Sequence, residues 1–127
     1  MPKKHVNIVE SIRDGSATRA DAERKLAEFG MGVLNALKER RTTIEEAQTD
    51  LFNMDSYQNV GRFHYNPNLR EFLIWGMELE DVAALTPSGL SDSYRRMTQV
   101  IRRVLKASRR TAETRTVRAR VKTAAVD

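Results

Sequence analysis

The sequence predicts an all-α fold, a single small bundle of about five helices followed by a flexible basic C-terminal tail. Three observations carry that prediction. Apolar residues recur at three- and four-residue steps through nearly every segment, and no stretch of the body alternates with the two-residue period of a strand. Helix-start signals of the form Thr-x-x-acid, and a proline restart, stand in front of those periodic segments. The 127 residues contain no cysteine, so no disulfide staples the fold, and the chain is long enough to bury a core without one.

The first helix is expected over His5 to Arg13, with Val6, Val9 and Ile12 (or Ile8) on one side and Gly15 placed as its C-terminal cap. Thr18-x-x-Asp21 opens the second, in which Ala22, Leu26, Phe29, Val33, Ala36 and Leu37 recur to about Arg40. Gly30 and Gly32 interrupt it, each at a cost of about 1 kcal/mol relative to Ala, which suggests either the close approach of a neighbouring helix or a kink. Arg40 and Arg41 suit the negative end of the helix dipole. Thr43-Ile44-Glu45-Glu46 opens a short third helix that turns Ile44, Ala47 and Leu51 inward.

From Asn53 to Pro67 the periodicity is lost, and the sequence reads as a long loop. Tyr57, Phe63, His64 and Tyr65 lie in it, either as a binding element or tucked against the core. Pro67 or Asn68 begins the fourth helix, with Leu69, Phe72, Leu73, Gly76, Leu79 and Ala83 as its apolar seam, broadened by Trp75 and Val82. Thr86-Pro87 restarts the chain for a fifth helix to about Ser108, with Leu90, Tyr94, Met97, Ile101 and Val104 inward. The helical domain is thus expected over residues 1–110 and the tail over 111–127. The expected core is Leu26, Phe29, Val33, Leu37, Leu51, Leu69, Phe72, Leu79, Tyr94, Met97 and Ile101.

Charge is divided along the chain. Residues 95–127 carry eleven Lys/Arg against two acids, a balance of +9, whereas residues 1–94 carry eleven against fifteen, a balance of −4. Such asymmetry points to an anionic partner or to a tail that docks on its own body. On a helical wheel Arg95, Arg102 and Arg109 form one row and Arg96, Arg103 and Arg110 its neighbour, with Lys106 between them. Guanidinium forks in that register suit phosphates. The ladder has no interleaved aromatics and no Asn/Gln base readers, so nucleic-acid binding through it would be to the backbone and weakly sequence-specific. The plain alternative is a solvated helix face, or pairing with acidic helices of the same molecule.

Glu78, Glu80 and Asp81 form the densest acidic cluster, with Glu71 one heptad earlier. Glu71, Glu78 and Asp81 are expected to project away from the apolar seam as a protein-binding face. Paired carboxylates serve acid–base or metal chemistry only with convergent partners, and none is near in sequence. His5 and His64 belong to no ligand-spaced motif, Gly30-Met31-Gly32 lacks the third glycine of a dinucleotide fingerprint, and no nucleophile elbow occurs. No catalytic residue, cofactor or metal is expected.

The start of the chain lacks the apolar run of a secretory signal, and the longest apolar stretch, Phe72 to Met77, is far short of a membrane span. The expectation is a soluble cytoplasmic protein without a membrane partner, its oligomeric state open.

The order Gly32-Val-Leu-Asn-Ala-Leu37, Thr43-Ile-Glu-Glu-Ala47, Leu51-Phe52, then Trp75-Gly-Met-Glu-Leu-Glu-Asp-Val82 with Leu85, Pro87 and Leu90, resembles a family of short bacterial proteins, domain of unknown function 3969. The resemblance covers about residues 27–105 and leaves out the arginine-rich extension. It implies one small helical domain and carries over no activity, cofactor or catalytic residue. By analogy of class alone, such families look like immunity or adaptor proteins. The function expected is therefore a non-enzymatic intracellular binding or adaptor module acting on another protein. The alternative is an accessory protein that binds nucleic acid through Arg95, Arg96, Arg102, Arg103, Lys106, Arg109 and Arg110.

Overall fold

A computed structural model describes the backbone from Val6 to Ala125 and the side chains to Arg109. Among the described residues every regular element is helical: α1 (Ile8–Asp14), α2 (Arg19–Lys38), α3 (Ile44–Asp50), α4 (Met54–Arg62), α5 (Pro67–Met77), α6 (Leu79–Leu85), a 3₁₀ turn at Pro87–Gly89, and α7 (Leu90–Ala125). The all-α bundle is present. The backbone of residues 111–125 continues α7, while the tail's side chains, Arg110 included, lie outside the described residues.

The helices begin where their caps dictate. The Thr18 hydroxyl accepts from the Asp21 N–H at 3.0 Å, and the Thr43 hydroxyl accepts from the Glu46 N–H at 3.1 Å. Pro67 is the first residue of α5, where its missing N–H costs nothing, and Asn66 caps it by accepting from the Asn68 N–H at 2.9 Å.

α1 begins at Ile8, capped by Asn7, and not at His5, and α7 runs on past Ser108. Two further segments differ from expectation. The stretch read as a loop contains α4. Asn53 couples it to α3, because its carboxamide oxygen accepts from the Ser56 N–H at 3.0 Å while its nitrogen donates to the carbonyls of Gln48 and Thr49 at 3.0 and 3.1 Å. One side chain thus closes one helix and opens the next. The inward face of α4 is Ser56, Asn59 and Val60, so two of its three buried residues are polar and leave no apolar period to read. The expected fourth helix also divides at Glu78 into α5 and α6, where Gln48 donates to the Met77 carbonyl at 3.2 Å.

α7 packs against both α2 and α5, and the core lies between these three helices. Leu26, Leu37, Leu51, Leu69, Phe72, Leu79, Met97 and Ile101 are buried as expected. Phe29 is not, being 36% exposed, and Val33 and Tyr94 are half-buried. The buried stripe of α2 runs instead through Ala22, Leu26, Ala27, Gly30, Leu34 and Leu37. Gly30 turns the helix this way, because a Cβ there would stand 2.8 Å from the Phe72 ring, so the ring takes the place of a side chain. Gly76 likewise makes room for Phe52, whose ring meets Phe72 edge-on at 5.4 Å. Close approach therefore accounts for Gly30. Gly32 faces open space, with nothing within 4 Å of its would-be Cβ.

Candidate functional site

The end of α2 and the first half of α7 form the walls of a groove lined by Leu37, Lys38 and Arg40 on one side and by Leu90, Tyr94, Arg95, Thr98, Gln99 and Arg102 on the other. No carboxylate among the described residues lines it. Four cations do, two from each wall. The Lys38 ammonium crosses the groove and donates to the Thr98 hydroxyl at 2.8 Å, and that hydroxyl donates to the Tyr94 carbonyl at 2.8 Å. Lys38 is therefore held by a neutral partner and has no ion pair among the described residues. Leu37, Leu90 and Tyr94 are the apolar part of the lining, and burial pushes the Tyr94 phenol above its ordinary pKa of 10.0.

Arg40 is built into this site at a cost. The Arg41 N–H donates to the Ala36 carbonyl at 2.8 Å and the Arg40 N–H to the Leu37 carbonyl at 3.2 Å, which closes α2 in a Schellman turn. The residue at the turn must take a left-handed backbone, usually that of glycine, and Arg40 has φ 58°. A non-glycine residue there carries strain of order 1 kcal/mol. His64 holds the same position after α4, with φ 57°, its N–H donating to the Gly61 carbonyl and the Tyr65 N–H to Val60.

The cleft beside His64 is also lined by cations, namely Arg13, Arg19 and Arg62, but these are engaged by the protein itself. Arg13 and Arg62 lie 4.3 and 4.7 Å from the centre of the Phe63 ring. Arg62 also contacts Glu10 at 3.3 Å and Arg19 contacts Glu23 at 3.6 Å. Phe63 and Tyr65 are thus structural residues, as is Tyr57, whose hydroxyl accepts from Arg70 at 2.8 Å.

The structure sorts the arginine ladder. Arg96 pairs with Glu71 across α5 and α7 at 2.8 Å, so these two residues engage each other. Arg95 reaches Asp92 at 3.5 Å, an exposed pair that competes weakly with any ligand. Arg102, Arg103, Lys106 and Arg109 are exposed on α7, and none forms an ion pair among the described residues. Lys38, Arg40, Tyr94 and Gln99 were missed as site residues. Tyr94 fits the core period of its helix, and only the separation of the α2 end from α7 leaves it half open. The pair Arg40-Arg41 at a helix end was the available signal for the α2 wall, read only as a response to the helix dipole.

The acidic corner lies elsewhere. Glu78 stands at the α5–α6 junction, with Glu80 and Asp81 in the first turn of α6, all exposed and without an ion pair among the described residues. Leu85, which ends the same helix, is 83% exposed. No group of three or more His, Asp or Glu among the described residues is placed to hold a metal ion, and no described helix is long and apolar enough to cross a membrane.

With its groove spanning α2 and α7, this helical domain matches the family described as Protein of unknown function (DUF3969) over residues 17–118. The chain belongs to that family. The match holds both walls of the groove and the acidic corner, leaves α1 outside, and reaches beyond the span of the sequence resemblance into the arginine-rich segment at residues 110–118. No curated protein and no solved structure matches the chain.

Proposed function

We propose that this protein is a non-enzymatic intracellular module that binds the phosphate backbone of a nucleic acid in the α2–α7 groove. The observation that carries this reading is Arg40, a charged residue kept at a strained glycine position where it completes a set of four cations, with no carboxylate among the described residues that line the groove. The exposed Arg102, Lys106 and Arg109 continue the strip along α7. From Arg95 to Arg109 it extends about 21 Å at 1.5 Å per residue, room for several consecutive phosphates.

Affinity for short oligonucleotides should fall steeply with salt, with a slope near −0.9 per neutralised phosphate on duplex and −0.7 on single strands. Changing Arg40, Arg95 and Arg102 to Gln should reduce the magnitude of that slope by about two to three. Arg40→Gly alone should raise stability by about 0.5–1 kcal/mol while weakening binding, because it removes strain and charge together. Fluorescence anisotropy across a salt series measures both the affinity and the slope. Absence of binding at the low-salt end overturns the reading.

A second reading places a protein partner on the acidic corner. It is supported by the exposed Glu78, Glu80 and Asp81, without an ion pair among the described residues, beside the exposed Leu85, although Glu71 is engaged by Arg96. Charge reversal at Glu78 and Asp81 should then abolish capture of a partner from the native host without altering the circular dichroism spectrum. Undiminished capture removes the corner from consideration.

A further inference from the structure

We infer that the nucleic acid taken by the α2–α7 groove is a single strand, with one unpaired base laid against Tyr94. The inference rests on the groove reading above and adds the form of the ligand to it. Three features of the groove point this way.

The groove lies where α2 and α7 come together, and the Lys38 ammonium, rooted in α2, reaches the Thr98 hydroxyl on α7 at 2.8 Å. A duplex presents a broad convex surface with its bases paired, whereas a single strand can turn one base toward the groove lining.

Cations come from both helices, Lys38 and Arg40 from α2 and Arg95 and Arg102 from α7, and Leu37, Leu90 and Tyr94 line the same groove. This combination matches a strand whose phosphates meet the cations while a base turns toward the apolar lining. In a duplex the phosphates are outermost and the bases stacked inside, and nothing apolar is left for Leu37, Leu90 and Tyr94. Aromatic platforms under a basic groove are the general means by which proteins hold single strands without reading sequence.

Polar side chains ring the aromatic without being spent on the fold. Ser91 and Gln99 line the groove beside Tyr94, and neither side chain makes a hydrogen bond among the described residues. Both can meet the edge of a base of any identity, since a hydroxyl and a carboxamide each donate and accept. Weak sequence preference follows.

The test uses the full chain and three labelled probes of equal length: a deoxythymidine ten-mer, the same backbone with abasic sites throughout, and a ten-base-pair duplex. The ten-mer should bind at least tenfold more tightly than the duplex at equal salt. The abasic strand should bind about tenfold more weakly than the ten-mer with an unchanged salt slope, because it keeps the phosphates and loses the stacking, worth about 1–3 kcal/mol per base. Tyr94→Phe should keep the preference for the ten-mer over the abasic strand, and Tyr94→Leu should lose it. The probe comparison stands on the wild-type chain if Tyr94→Leu fails to fold. Duplex binding as tight as the ten-mer, or equal binding of abasic and normal strands, overturns the inference and leaves the groove reading in place. Failure of all three probes at low salt overturns both.

Discussion

Two seams hold this molecule together, and they are made of different chemistry. Between α2, α5 and α7 the contact is apolar, with Leu26, Leu34, Leu69, Phe72, Met97, Val100 and Ile101 buried against one another. Between α1 and α4 it is a hydrogen-bonded chain. Asn7 donates to the Ser56 hydroxyl at 3.0 Å, Asn59 donates to Asn7 and Glu10 at 3.3 Å each, and Arg62 donates to Glu10 at 3.3 Å. Ser56 and Asn59 are both buried. The apolar seam is non-directional and depends on volume, whereas the polar seam is directional and depends on every partner being present. The first is therefore sensitive to cavities and the second to single lost atoms.

The largest expected effect lies in the apolar seam. Phe72→Ala removes the ring that fills the space over Gly30 and meets Phe52 edge-on, and should cost about 3–5 kcal/mol in denaturant melts. A loss below about 1 kcal/mol would mean that the seam is not centred there.

In the polar seam, Asn59→Ala should cost about 1–3 kcal/mol, since it removes two hydrogen bonds to part-buried acceptors at about 0.5–1.5 kcal/mol each. The sharper measurement is a double-mutant cycle with Asn7→Ala. The two changes should couple by at least about 0.5 kcal/mol, whereas Asn59→Ala combined with Val100→Ala, on the other seam, should be additive. Additivity of the Asn pair would dissolve the distinction between the seams.

The two glycines of α2 separate the apolar seam from the surface beside it. Gly32→Ala should stabilise by about 0.5–1 kcal/mol, because the helix gains propensity and the new methyl group meets nothing. Gly30→Ala should destabilise by about 1–3 kcal/mol through collision with Phe72. Opposite signs at two positions separated by a single residue are the expected outcome in thermal melts.

The smallest effect is electrostatic and lies on the surface. Asp21 is held at about 2, below its ordinary 3.8, chiefly by the hydrogen bond from Arg24 and then by the Ala17 N–H and Lys25. Its folded-state value is depressed, so the stability it contributes is present in full above about pH 4 and is lost as the pH falls through about 2. Asp21→Asn should flatten the acid limb of the stability curve in that window and leave the slope between pH 6 and about 8 unchanged.

How much of this was legible in the sequence follows from the same contrast. Thr18, Thr43 and Pro67 announced their helices because a cap is a local event, settled within three or four residues. Leu26, Phe72 and Ile101 announced the core because an apolar face repeats with the helical period. α4 gave no such signal, since its inward Ser56 and Asn59 are satisfied by Asn7, more than forty residues away along the chain. The candidate site divides in the same manner. The arginine rows of α7 could be read from spacing within one helix, but nothing local shows that Arg96 meets Glu71 or that Lys38 and Arg40 face Arg95 and Arg102.

By itself the sequence determined the helical class, most helix starts, the apolar seam and the concentration of positive charge toward the C-terminus, all of which depend on neighbours within one or two turns. Tertiary structure decided which face of α2 is buried, because Phe72 occupies the notch at Gly30 and turns Phe29 outward. It also decided which cations are engaged within the fold and which line the groove, because an ion pair or a groove is defined by distances between segments that are remote in the chain.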